Sequence, residues 1–432
     1  MNYRESRSFI SDASKYGSVL SLDAMTKLME RLDNVQDSYP VIHVAGTNGK
    51  GSVSAFLYSV LQEAGYRVGR YNSPALFCYR ERWSVSGEMI TRDEFASCTD
   101  LAAKAAADMV SEGLPHPTVF EIETAVAFVW FARKNVDIAI IEVGMGGDRD
   151  ATNVISKPLL SVITSIGMDH CEYLGKTVSE IAARKAGIIK KDCPVVSALQ
   201  ENAASEVIER FCDEAGVPLI TADPKEAEIL EEGYLFQRFR LDNKEYRIGL
   251  SGVHQIQNAV LAVRAAEILR GREFMISEEA LKRGLEKTRW NGRFETIMSE
   301  PLFIIDGAHN PPAAHALAES LVKYFPEKAG HFIFIIGMFR DKDYHEVLRL
   351  TCHLADRIYT IETPGNRRAC PAEKLCEAAA LYVHGGSVEA MKSIEDAVRS
   401  SLKTASPDDV IVCFGSLSFL ASVKRIIETE HY

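Results

Sequence analysis

The stretch Val44-Ala45-Gly46-Thr47-Asn48-Gly49-Lys50-Gly51-Ser52 decides how this chain is read. It follows the apolar run Pro40-Val41-Ile42-His43-Val44, which has the composition of a buried strand. It precedes Val53–Ala64, whose apolar spacing suits a helix. A strand, a glycine-rich turn and a helix start make a phosphate cradle, because backbone N–H groups can face phosphate oxygens where no side chain intervenes. Lys50 then sets a positive charge on the outer phosphates. The strict spacing G-x-x-x-x-G-K-[ST] is not met: Val44 holds the first glycine position and Gly51 follows the lysine. A plain glycine turn with a solvated lysine is the alternative. The strand in front of it favours a nucleoside triphosphate site.

The 432 residues suffice for two domains or three. Apolar residues make up 47% and charged residues 25%, as in ordinary globular proteins. A net charge of −11 and a pI near 5.6 argue against general binding to nucleic acid or a membrane surface, while leaving room for a local phosphate site. The nine cysteines include no C-x-x-C pair, and the closest two, Cys370 and Cys376, suit no common metal knuckle. An odd number in a large chain fits a reducing compartment. Met1–Ile10 is charged throughout, without the apolar core of a secretory signal, and no apolar stretch is long enough to span a bilayer. A cytoplasmic protein with neither nucleic-acid nor membrane partner is expected.

Strand-like runs alternate with helical stretches, the pattern of a parallel sheet flanked by helices. Strands are expected at Val41–Val44, Val68–Tyr71, Ile138–Val143, Leu159–Ile166, Pro194–Ser197 and Pro218–Ile220, with helices such as Phe95–Met109 and Glu121–Ala132 between them. A polar stretch, Ala222–Gly233, leads to a hairpin pairing Tyr234–Phe239 with Lys244–Leu250, and His254–Leu269 reads as a helix. A second alternation starts near Leu302, with strands at Phe303–Asp306, Phe332–Ile336, Arg357–Ile361 and Val410–Phe414. Two α/β domains are expected, 1–297 and 298–432, joined around Met298–Pro301.

Several strand ends carry chemistry, which matters because ligands of open α/β sheets collect at the carboxyl ends of strands. Ile138–Val143 ends in Glu142 and the glycines Gly144, Gly146 and Gly147; that carboxylate could hold Mg²⁺ or cap the following turn. Leu159–Ile166 leads to Gly167-Met168-Asp169-His170, where His170 suits a metal, a phosphate or a structural hydrogen bond. Arg184-Lys185 closes a helix, where two cations could simply favour the dipole. Phe303–Asp306 opens the second alternation and runs into Gly307-Ala308-His309-Asn310-Pro311. Arg293, just before it, suits a phosphate or plain solvent.

Together these segments resemble the folylpolyglutamate synthase and dihydrofolate synthase family, within the Mur ligase superfamily. The likeness runs through Val44–Ser52, Asn72-Ser73-Pro74, Glu81-Arg82, Phe120–Phe128, Ile141–Asn153, Ile163–Gly175, Ala182–Ile189, Ser251–Ala262, Arg289–Phe294, Ile305–Pro311, Gly337–Asp343 and Gly415–Leu417. The resemblance implies an N-terminal ATPase domain with a P-loop-type parallel sheet and a smaller Rossmann-like C-terminal α/β domain. It also implies an ATP-dependent ligase that adds L-glutamate to reduced folate or dihydropteroate through an acyl phosphate, acting as a monomer. It places Gly49, Lys50, Gly51 and Ser52 on the ATP phosphates, and Asn258, Arg293 and Asp306 on ATP from across a cleft. Ser73, Glu142 and His170 become ligands of two Mg²⁺ ions, with Lys185 carbamylated and helping to hold the second. A monovalent cation such as K⁺ is a further expected ion. His309 and Ser416 fall near the incoming glutamate, and Phe120, Glu121 and Arg149, in the segment and loop 120–121 and 146–153, fall near folate.

Three positions depart from the family. Ala75 stands where histidine is common after Ser-Pro, the loop Leu76–Arg82 keeps only Glu81-Arg82, and Phe414–Phe419 lacks the tyrosine common after Gly-Ser-Leu. These touch substrate recognition and leave the ATP and metal positions intact. A peptidoglycan-precursor ligase of the Mur type would share the chemistry but calls for a UDP-binding domain ahead of the phosphate loop. A non-catalytic ATP-binding regulator is the third reading, and Lys50, Glu142, His170, Lys185 and His309 speak against it.

Overall fold

The apolar run before the glycine turn forms β1 (Val41–Ala45), buried at every position. The computed structural model describes residues 1–17, 21–326 and 330–429. It divides into two compact units, Met1–Ala227 with Gln257–Thr288, and Glu228–Ile256 with Arg289–Tyr432.

In the first unit β1 lies inside an eight-stranded sheet. Its other strands are β2 (Val68–Tyr71), β3 (Trp83–Val85), β4 (Glu88–Met89), β5 (Ile138–Glu142), β6 (Leu160–Ile163), β7 (Val195–Ala198) and β8 (Leu219–Ala222). The order is β4-β3-β2-β5-β1-β6-β7-β8. From β2 to β8 all neighbours pair parallel, while β3 and β4 add an antiparallel edge. A parallel sheet covered on both faces needs strands that are apolar throughout, which is why β1, β5 and β6 read so clearly. The chain runs to β2 on one side of β1 and later to β6 on the other, so a crevice opens at the carboxyl end of β1.

The second unit holds two sheets. β9 (Glu228–Glu232), β10 (Gln237–Leu241) and β11 (Lys244–Ile248) are antiparallel in the order β11-β10-β9. Asp242 and Asn243 turn the β10–β11 hairpin with φ of 49° and 61°, a left-handed pair that asparagine and aspartate tolerate. The larger sheet contains β12 (Glu295–Ser299), β13 (Leu302–Ile305), β14 (Phe332–Ile336), β15 (Arg357–Thr360), β16 (Ser387–Ala390) and β17 (Val410–Phe414). Its order is β12-β13-β17-β14-β15-β16, parallel except for β12.

The α/β class and the two parallel sheets agree with the sequence; the cut at 297/298 does not. Met298 and Ser299 pair with Phe303 and Leu302, so Met298–Pro301 is a hairpin turn inside the second unit rather than a junction. Residues 228–256 also belong to that unit. Tyr234 lies tilted against Phe325, with ring centroids 5.4 Å apart, and the Val253 amide donates to Ser320 Oγ at 3.0 Å. β9 hid in the sequence because its charges face solvent and pair across strands: Arg238 with Glu231, and Arg240 with Glu228 and Glu245. Among the described residues, no helix is long and apolar enough to cross a membrane.

Candidate active site

Four neighbouring strand ends converge in the first unit. Register sets Tyr71 beside Ile141, Val44 beside Glu142 and Ala45 beside Ile163. The ends of β2, β5, β1 and β6 therefore bring together, in spatial order, the residues leading to Ser73, the carboxylate of Glu142, the Gly46–Lys50 turn and the segment leading to His170. Glu142 is buried at its strand end, whereas Ser73 is half-buried and His170 exposed. His170 adopts a left-handed backbone at the start of a short helix, with its ring 4.0 Å from Asp169.

The turn itself depends on glycine. Gly46 has a φ of 151°, and a Cβ there would lie 1.8 Å from Thr164 Oγ1. Gly49 takes φ 89° at the start of helix Lys50–Glu63, where a Cβ would fall 2.5 Å from Asn258 Oδ1. Asn258, buried in helix Gln255–Arg270, thus touches the loop from the side. The loop is strapped to the strand end of β6. Thr47 and Asn48 amides donate to Ser165 O at 2.8 and 3.3 Å, and Thr47 Oγ1 meets both Gly167 O and Gly167 N at 3.1 Å.

Two amines meet at one carbonyl. Lys50 Nζ donates to Gly46 O at 3.0 Å and to Thr47 O at 3.2 Å, while Lys185 Nζ donates to Gly46 O at 2.7 Å. Burial, then the Lys50 charge, hold Lys185 well below the usual lysine range, opposed by Asp169 and Asp150. Burial thus favours the uncharged amine over the ammonium, and the amine is the form that adds to CO₂. Gly147 and Gly187 allow the helix end carrying Lys185 to approach: a Cβ on Gly147 would lie 2.6 Å from Arg184 O, and one on Gly187 2.4 Å from Asp148 Cβ.

The residues expected around folate fare unevenly. Phe120 lays its ring against Gly144, where a Cβ would come within 2.5 Å. Glu121 is a capping residue: its Oε2 accepts the Thr118 amide at 2.7 Å and the Thr118 hydroxyl at 2.8 Å. Arg149 points outward, 59% exposed, with Asp148 at 3.8 Å. The neighbouring loop is organised by Glu81, whose carboxylate accepts the amides of Leu76, Phe77 and Cys78.

In the second unit, Asp306, His309 and Ser416 follow the adjacent strands β13 and β17. Asp306 is buried and ties the turn, accepting the Phe294 amide at 2.7 Å and the Ala308 amide at 2.8 Å. Burial raises its carboxyl, against the pull of Arg293. Arg293 Nη1 would lie 2.8 Å from a Cβ on Gly307, so arginine and aspartate share this corner. His309 Nδ1 donates to Gly307 O at 2.8 Å. Ser416 Oγ is 2.8 Å from Ser418 Oγ at the start of the last helix.

Sequence reasoning passed over His43, Thr152 and Asp150, a buried polar set under the site, and His254 beside Arg293. A histidine inside an apolar strand was the available signal for the first.

Residues 44–266 match the Mur ligase middle domain, and residues 292–417 the glutamate ligase domain of Mur ligases. The chain is 36% identical to the dihydrofolate synthase/folylpolyglutamate synthase of Bacillus subtilis, with 98% of each chain covered. It matches the solved structure of Mycobacterium tuberculosis folylpolyglutamate synthase complexed with ADP at a TM-score of 0.86 and 31% identity, over 94% of both chains. E. coli FolC in complex with DHPP and ADP gives a TM-score of 0.86 at 29% identity, over 99% of this chain and 98% of that one.

Proposed function

The chain belongs to the folylpolyglutamate synthase and dihydrofolate synthase family of the Mur ligase superfamily, ATP-dependent ligases that join L-glutamate to folates, and we propose the following division of that reaction among its residues. The observation that carries the reading is the convergence of four strand ends on the glycine turn, with Lys50 and Lys185 on one carbonyl. Gly49, Lys50, Gly51 and Ser52 receive the ATP phosphates. Asn258, Arg293 and Asp306 are the further residues assigned to ATP.

The donor set also fits a hard cation. Glu142 would offer Mg²⁺ a buried carboxylate, Ser73 a hydroxyl and His170 an exposed imidazole, beside the water and phosphate oxygens that this cation prefers. Lys185 joins this set once carbamylated, and K⁺ is a further candidate ion. Bound Mg²⁺ neutralises charge so that a carboxylate can approach ATP.

The folate carboxylate attacks the γ-phosphorus, giving an acyl phosphate and ADP. The free amine of glutamate then adds to the acyl carbon, and phosphate leaves with one former carboxylate oxygen and the proton that the amine gives up. Lys50 balances the charge on the transferred phosphoryl group. His309 lies against the glutamate amine, and Ser416 holds one of the glutamate carboxylates. Phe120 and the 144–153 loop face the folate, with Arg149 at the pocket mouth. The substrate is dihydropteroate, a reduced folate or both, and the enzyme works as a cytoplasmic monomer.

Folate labelled with ¹⁸O in the reacting carboxylate tests the route. One ¹⁸O in the released phosphate is expected, and phosphate without label would refute the acyl phosphate.

A further inference from the structure

A histidine in the middle of a buried parallel strand needs a reason. His43 is fully buried in β1, and its Nε2 lies 2.8 Å from Thr152 Oγ1. Thr152 Oγ1 is in turn 2.6 Å from Asp150 Oδ1, which also accepts the Thr152 amide at 3.0 Å. Asp150 Oδ2 accepts the Met145 amide at 2.8 Å, three residues past Glu142. A polar chain therefore runs from the centre of β1 to the glycine loop at the end of β5.

Counting protons fixes its direction. An ionised carboxylate only accepts, and a threonine hydroxyl has one proton to give. Thr152 Oγ1 donates to Asp150 Oδ1, and the Thr152 and Met145 amides also donate to that carboxyl group, so His43 donates to Thr152 from Nε2 even though burial raises the Asp150 carboxyl. The lone pair then sits on Nδ1, which is buried without a hydrogen-bond partner among the described residues. The opposite tautomer would bury an unpartnered N–H and set the Nε2 lone pair against the hydroxyl oxygen. The ring stays neutral, because burial and then the charge of Lys190 hold its pKa at about 3.

We propose that His43 is a positioning residue: through Thr152 and Asp150, its Nε2–H fixes the backbone of the 144–153 loop in the form that receives the folate. This rests on the reading of that loop as facing folate. The other end of the loop is held separately, by Asn153 Nδ2 donating to Asp148 O and Gly187 O. His43 therefore sets the Gly144–Gly147 end, against which Phe120 lies.

The test uses the full chain with Thr152→Val, Thr152→Ser, His43→Gln and Phe120→Ala. Imidazole ¹⁵N spectra of the wild type should show His43 protonated at Nε2. Thr152→Val keeps the shape of the side chain and breaks the chain of hydrogen bonds. It should raise the KM for folate about tenfold while the KM for ATP moves less than about twofold. Thr152→Ser, which restores the hydroxyl, and His43→Gln, whose amide N–H reaches the Nε2 position, should stay within about threefold of wild type. A His43 ring protonated at Nδ1, or equal changes in both KM values, would overturn the proposal. Phe120→Ala separates the two layers of the argument. A raised folate KM there with an unmoved one in Thr152→Val would sink the role of His43 alone. Unmoved values in both would sink the folate-facing loop as well.

Discussion

The Lys185 side chain donates to the carbonyl of Gly46 across 2.7 Å, although 139 residues separate them in sequence. This contact ties the helix after β6 to the phosphate turn after β1. It also holds an amine where burial and Lys50 disfavour its charge. An uncharged amine is the species that CO₂ carbamylates, releasing one proton and leaving a carboxylate in the same place.

Lys185→Ala removes the proposed carbamate together with the tie to Gly46. Turnover should fall on the order of 100-fold or more, and a small carboxylate such as acetate should restore part of it. Intact mass under bicarbonate should show wild type, but not the variant, heavier by one CO₂. Full activity in Lys185→Ala would remove the carbamate from the account.

Gly49 tests the cradle from the other side. Its φ of 89° strains any other residue, and an added Cβ would meet Asn258 Oδ1 at 2.5 Å. Gly49→Ala should cost roughly 1–3 kcal/mol of stability from strain and overpacking, and weaken nucleotide binding at least about tenfold. Titration calorimetry and denaturant unfolding read the two effects separately. Unchanged ATP affinity would mean that phosphates do not lie against this turn.

In the second unit, His309→Ala should raise the KM for glutamate about tenfold or more, the size of a lost hydrogen bond to a charged group. The dissociation constant for ATP should hardly change. Failure of ATP binding instead would contradict the glutamate role given to His309.

The buried His43 and the half-buried His254 make stability depend on pH. Burial lowers His43 to about 3 and His254 to about 4, from an ordinary value of 6.5. Between those values the unfolded chain binds protons that the folded chain does not. Folding free energy is therefore fully present above pH 6.5 and declines as pH falls towards 3, each unit of depression being worth roughly 1.4 kcal/mol. In His43→Gln the decline should be shallower, as followed by urea unfolding across that range. An identical slope would show that His43 titrates normally in the folded protein.

Much of this architecture was legible because parallel strands buried on both faces carry continuous apolar runs. β1, β5, β14 and β17 are such runs, and each ends at or just before a glycine or a carboxylate. Short, charged or edge strands were not legible. β9 and β16 alternate polar residues towards solvent, and β12 follows the turn that carries Arg293, so a hairpin looked like a linker. Glu121 illustrates a different limit. The resemblance set it near folate, and the 2.7 Å bond from the Thr118 amide shows it capping its own helix. Lys185 ran the other way: its place in a last helical turn suggested a plain dipole partner, and the fold turns it inward to Gly46.

Glutamate-dependent release of phosphate from Mg·ATP, run in parallel with dihydropteroate and with tetrahydrofolate, tests the central claim most directly. Wild type should release phosphate with one or both substrates only when glutamate is present, and Lys50→Ala should be silent while remaining folded. Silence of the folded wild type with both substrates, or undiminished release by Lys50→Ala, would contradict the account.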